Sequence, residues 1–213
     1  MVKVGFEDNN TDYAEPIRYD LGHEKRHEGT IAEVSDIYSK ENQFADGDEE
    51  VEELRIAFRT SIDDLNIDED TQEELADYIQ TEIEAREDEG KEVDHPEDAV
   101  EVVMFPTAKV TPGTNDVNAS KLFNTLRKLG LAESDESGSV QLYDREGEEV
   151  NPFSDLDSDA TAEDENQAFS QYLKQNLVGM QVTYELRNAK RGSDDEYSVV
   201  NKVISKDNDP QVD

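Results

Sequence analysis

The chain has 213 residues, with 55 Asp and Glu against 20 Lys and Arg and a formal net charge of -35. It has no cysteine, which excludes a disulfide framework, a thiol nucleophile and any cysteine metal site. No apolar run approaches the roughly 20 residues of a membrane span, and the amino-terminal MVKVGFEDNN lacks an apolar signal core, so a soluble, intracellular protein without membrane contact is expected.

Three physical readings compete for the charge. Disorder follows when too little apolar surface is available to repay chain entropy, but the elements below are too regularly patterned for that. A nucleic-acid mimic would set its carboxylates at phosphate-like spacing. Life in concentrated salt keeps acidic surfaces hydrated and screens their repulsion within about 3 Å at 1 M. Acids spread along the whole chain and scarce lysine favour salt, where net charge no longer excludes nucleic acid as a partner.

Residues 1–20, polar and interrupted by Pro16, read as a flexible amino-terminal arm or one laid over the domain. His23-Glu24-Lys25-Arg26-His27 then matches the H-E-x-x-H pattern, which needs a helix to put both histidines on one face. Gly22, Gly29 and the strand-like run that follows deny it one, so the segment reads as two solvated histidines at the start of a strand, with no metal. Residues 30–38 form the first predicted strand, whose imperfect alternation implies a bulge. A loop with Phe44 leads to a second strand over 51–62, where Leu54, Ile56, Phe58 and Ile62 face one way and Arg55 and Arg59 the other. Glu52 and Glu53 are the local partners those arginines would otherwise take.

Residues 63–98 are the most acidic and predict a helical insertion, with Asp70 and Glu73 as a capping box and Leu75, Tyr78, Ile79 and Ile83 as a narrow apolar stripe. Asp64-x-Asn66-x-Asp68 and Asp155-x-Asp157-x-Asp159 resemble the start of a calcium loop but lack its glycine and closing glutamate. A third strand spans 99–110. A helix over 118–129 carries Leu122, Phe123, Leu126 and Leu129, with Lys121, Arg127 and Lys128 off that stripe. Residues 133–160 read as loop with a short hairpin near 140–143. Thr161 and Asp164 cap a further helix bearing Phe169, Tyr172, Leu173 and Leu177. Met180, Val182, Tyr184 and Leu186 then alternate with polar residues in a fourth strand. A polar break over 188–196 follows, then a fifth strand over 197–204 and a tail over 207–213. Arg187, Lys190 and Arg191 make that break a basic loop in an acidic chain.

Five strands with helices between the third and fourth is the order of the OB-fold, a small Greek-key barrel. The expectation is therefore an α+β domain over residues 21–206: a five-stranded OB-like barrel with an acidic helical insertion between strands two and three. The stretches KLFNTLRKLGL, NLVGMQVTYELRNAKRG and EYSVVNKVIS resemble phage-type replication accessory proteins of the single-stranded-DNA-binding kind. With the composition, the chain resembles a haloarchaeal or haloarchaeal-virus member of that group, which implies a cytoplasmic, non-enzymatic role without cofactor.

OB barrels bind single strands across strands two and three, flanked by the loops after strands one and four. That expectation falls on Tyr38, Phe44, Arg55, Arg59, Lys109, Arg187, Lys190 and Arg191, with replication-protein partners meeting the acidic helix. Two alternatives remain open: a viral structural or assembly protein, and an acidic DNA mimic built on residues 63–98. An enzyme is not expected, since no carboxylate is paired with a nucleophile or an organised metal set.

Overall fold

Period-two alternation and three amphipathic stripes build an α+β chain. The computed structural model describes residues 17–22, 25–41, 50–90, 95–113, 117–191 and 195–206, without the side chains of 41, 191, 195 and 196. In order come β1 (Arg26–Val34), β2 (Tyr38–Glu41), β3 (Glu50–Glu53), β4 (Ile56–Ser61), a 3-10 turn (Ile62–Asp64), α1 (Glu69–Asp88) and β5 (Ala99–Met104). They are followed by α2 (Lys121–Lys128), β6 (Ala132–Ser134), β7 (Val140–Tyr143), β8 (Glu149–Val150), α3 (Ala162–Leu177), β9 (Gln181–Arg191) and β10 (Asp195–Lys206). Among the described residues no helix is long and apolar enough to cross a membrane.

Five strands form one antiparallel sheet in the order β10-β9-β1-β4-β5. The bulge expected in the first strand is present: pairing with β4 shifts between Ile31 and Glu33. It keeps Ile31 and Val34 buried although they lie three apart, and leaves Glu33 half-buried. The predicted second strand is two elements, because Leu54 and Arg55 belong to neither ladder. Its first half, β3, pairs with β2 in a separate ribbon, which Thr107 joins by a bridge to Glu53. β5 stops at Met104, where Phe105 and Pro106 leave the sheet.

The sheet is not closed into a barrel by a ladder between its edges, a correction to the expected closure. β5 and β10 come close together, and residues 17–21 bond to both. Ser198 N donates to the Tyr19 carbonyl (2.8 Å), Leu21 N to Ser198 Oγ (2.9 Å), and Glu101 N to the Tyr19 hydroxyl (3.0 Å). Ile17, Tyr19 and Leu21 are buried, so the end of the expected arm belongs to the core. Burying side chains of this size contributes roughly 1.5–3 kcal/mol each, enough to hold the segment in place.

α1 lies between β4 and β5 in sequence and buries Leu75, Ile79 and Ile83. Its cap is Asp68, not the Asp70–Glu73 box: Asp68 Oδ1 accepts from Thr71 N at 3.0 Å. The Thr161–Asp164 capping box of α3 is as expected. Within the stretch 133–160, expected as loop with one short hairpin, the chain forms the three-stranded sheet β6-β7-β8, which begins at Ala132. Asp135 and Asp144 each accept backbone N–H groups two and four residues on, and the turns close at Gly138 and Gly147 with φ of 83° and 86°. Tyr172 of α3 ties this sheet down, its hydroxyl lying 2.8 Å from the Tyr143 carbonyl.

Candidate nucleic-acid interface

The two expected arginines, Arg59 on β4 and Arg55 just before it, are engaged by carboxylates. Arg55 is buried, its Nη1 2.5 Å from Glu33 Oε2 and its Nη2 2.6 Å from Glu101 Oε1. Arg59 Nη2 is 3.1 Å from Glu101 Oε2, and β4–β5 register sets the two residues side by side. The β1 bulge delivers Glu33 to this row. The backbone is fixed too: Arg55 N donates to Ser35 Oγ (2.8 Å) and Ser35 N to the Arg55 carbonyl (2.9 Å). The partners come from neighbouring strands, and not from Glu52 or Glu53. Glu52 accepts from Asn166 Nδ2 at 2.6 Å, and Glu53 accepts from the Tyr38 hydroxyl at 2.9 Å and pairs with Lys40 at 3.4 Å.

Arg59 also reaches a cleft of about 720 Å³ across β1, β4 and the start of β9. Glu28, Asp64 and Asp98 line it with Thr30 and Gln181. Three carboxylates around one arginine repel a phosphate chain, so a polyanion would not cross here.

Tyr38 is half-buried on β2, Lys109 is exposed after β5, and Phe44 lies outside the described residues. The basic loop is corrected to strand. β9 and β10 pair as far as Arg191 and Asp195, and residues 192–194 lie outside the described residues. Arg187, Lys190 and Arg191 therefore lie on β9, where β1 no longer accompanies it. Register sets Lys190 opposite Glu196 and Arg191 opposite Asp195, whereas Arg187 stands opposite Val199. Arg187 is exposed and has no carboxylate partner among the described residues.

One cation was missed by sequence reasoning as a site residue. Lys121, first residue of α2, is half-buried and donates from Nζ to the Val200 carbonyl at 2.8 Å. Burial, and after it the nearby Arg187 charge, lower its pKa to about 8. Its place off the apolar stripe was visible in sequence, but its neighbour on β9 was not. The chain between β5 and α2, which carries Lys109, is anchored to the same helix start: Ser120 N donates to the Thr111 carbonyl (2.9 Å) and Thr111 N to Ser120 Oγ (3.0 Å).

The H-E-x-x-H match resolves differently from expectation. His23 and Glu24 lie outside the described residues, while His27 sits on β1 at 2 % exposure, buried and not solvated. Its Nδ1 accepts from Asn66 N at 3.3 Å and its ring centre is 6.0 Å from that of Tyr184. Burial, with Lys25 adding, lowers its pKa from 6.5 to about 4. The folded chain thus keeps His27 neutral where the unfolded chain already binds a proton. This contribution is fully present above 6.5 and is lost as pH falls towards about 4, by roughly 3 kcal/mol in all. In molar KCl, a His27→Phe variant should show a flatter fall in urea stability over that window than the parent. Equal slopes would mean that the imidazole is solvated.

Comparisons of the chain with protein-family models, with curated proteins and with solved structures find no match.

Proposed function

We propose that this chain binds single-stranded nucleic acid as an accessory protein of replication or recombination, adapted to concentrated salt in a haloarchaeal cytoplasm. The observation that carries this reading is the strand order. Counting only the long strands, the first pairs with the second and fourth, the second with the third, and the fourth with the fifth. With the β1 bulge and the approach of β5 to β10, this order supports an OB-type Greek key. On this reading the β2–β3 ribbon and the β9–β10 hairpin would flank a bound strand. The exposed acidic face of α1 is the natural contact for a protein partner.

With Arg55 and Arg59 engaged by carboxylates, the phosphate contacts of this reading move away from the sheet face and onto β9. A labelled oligo-dT and a duplex of equal length, titrated in molar KCl and followed by anisotropy, test the reading. The single strand should bind more tightly. A triple Arg187→Ala, Lys190→Ala, Arg191→Ala variant should melt like the parent, since Arg187 and Lys190 are exposed and an exposed charge contributes at most about 0–1 kcal/mol. It should also bind more weakly, with a salt slope shallower by roughly 0.7 per lost phosphate contact. No single-strand binding by the parent at any salt would sink the proposal. The alternative favoured by the neutralised sheet face, a structural protein that meets only other proteins, would then stand.

A further inference from the structure

Two cations of like charge placed together in a chain of 55 acids and 20 bases require an explanation. Lys121 and Arg187 are such a pair. The β9–β10 ladder sets Arg187 opposite Val199, and Lys121 Nζ is held 2.8 Å from the carbonyl of the next residue, Val200. The nearest carboxylate along β9, Glu185, lies two residues from Arg187 on the same face and is already taken. It accepts from Asn201 Nδ2 (3.1 Å) and pairs with Lys202 (3.2 Å) and Arg26 (4.0 Å). Among the described residues neither cation has a carboxylate of its own, although elsewhere even Arg55 and Arg59 on the sheet are supplied with one.

We infer that Lys121 and Arg187 together hold a phosphate group at the foot of the β9–β10 hairpin, where β10 meets the start of α2. The inference rests on the strand-binding reading for its ligand, a backbone phosphodiester, but the site is defined by its own geometry. The guanidinium of Arg187 offers a two-pronged fork and the Lys121 ammonium a point charge, a combination suited to phosphoryl oxygens. Lys121 spends one donor on Val200 and keeps two. A bound phosphate would relieve the repulsion that now opposes its protonation. β9 faces it with Arg187, β10 presents the Val200 carbonyl while Lys202 is held by Glu185, and on α2 Thr125 Oγ1 bonds the Lys121 carbonyl. Binding above about pH 8 should therefore take up a proton from solution.

The test compares the parent with Lys121→Gln and Arg187→Gln, using oligo-dT and, separately, tripolyphosphate matched against sulfate at equal ionic strength. Each variant should weaken oligo-dT binding about tenfold, and the double variant little further, because both residues hold one group. Calorimetry above pH 8 in buffers of different ionisation enthalpy should show proton uptake by the parent, absent in Lys121→Gln. Arg187 is exposed, so its variant reports on the site even if Lys121→Gln destabilises α2. Parent-like oligo-dT affinity in both variants would overturn the inference and leave the strand-binding proposal standing. A parent that binds no oligo-dT, yet melts higher with tripolyphosphate only while both cations are present, would uphold the phosphate site and end the strand-binding proposal. No response to either probe would overturn both.

Discussion

Gly29→Ala should cost this protein roughly 3 kcal/mol, a fall in melting temperature of about 6–12 °C for a chain of this size. Gly29 lies in the middle of β1, opposite Val182 on β9. Its backbone angle is one that any residue adopts, so the requirement is for space. A Cβ there would overlap Thr60 Oγ1 and stand 2.6 Å from the Arg59 carbonyl oxygen and 3.1 Å from Tyr184 Cε1. A real Cβ does not approach a backbone oxygen so closely, so β1 would have to move off β4. That movement strains two bonds of the Thr60 hydroxyl, one to the Glu28 carbonyl (2.8 Å) and a buried one with the Tyr184 hydroxyl (2.7 Å). Tyr184 is among the largest fully buried side chains and packs 5.3 Å from the Phe58 ring, so the disturbance reaches the centre of the core. Adding Thr60→Ala removes the hydroxyl overlap but not the carbonyl contact, so the double variant should recover only part of the loss. A Gly29→Ala protein within 1 kcal/mol of the parent in urea (about 2–4 °C in melting temperature) would mean that β1 and β4 do not approach this closely.

How much of this was legible in the sequence depended on whether its cause is local. The core of each long strand, the α2 stripe and the Thr161–Asp164 box are set by neighbours a few residues apart, and they stand where the pattern puts them. The β1 bulge was legible for the same reason, as a break in alternation. The ends of strands were not. Arg26 and His27 extend β1, and Asn188 to Arg191 extend β9, because β9 and β10 offer backbone partners to polar residues of little strand preference. Two signals were present and passed over. Ile17, Tyr19 and Leu21 alternate as a strand would, and Asp135 and Asp144 each precede a glycine by three residues, the same turn written twice. At the candidate site the residue types were legible but their partners were not. Nothing near Arg55 in sequence names Glu33 or Glu101, and nothing near Lys121 names Arg187, since those encounters are made by sheet order and helix docking.

Replacing Glu101 by glutamine is the change that most directly tests that arginine row, because the composition predicts the opposite sign. In a chain of net charge -35, removing one negative charge should relieve repulsion and stabilise, above all at low salt. Glu101, however, is the shared acceptor of two guanidinium groups, with its side chain and that of Arg55 only 11 % and 10 % exposed. Without its charge, the carboxylate of the row left to Arg55 would be Glu33, 40 % exposed, and Arg59 would keep none among the carboxylates of the row. Breaking a buried pair from one side costs about 3–5 kcal/mol, and the partial exposure of Glu33 and Arg59 brings the expected loss to roughly 2–4 kcal/mol. Salt separates the two effects. Repulsion among exposed acids is screened within about 3 Å at 1 M, whereas a water-excluded pair is screened much less. Glu101→Gln should therefore be destabilising in both dilute and molar KCl. Glu74→Gln, on the exposed face of α1, should stabilise slightly in dilute KCl and do nothing in molar KCl. If Glu101→Gln melted like the parent, or followed Glu74→Gln in its salt response, Arg55 and Arg59 would be free to meet a phosphate, and the strand-binding surface would return to the face of β4 and β5.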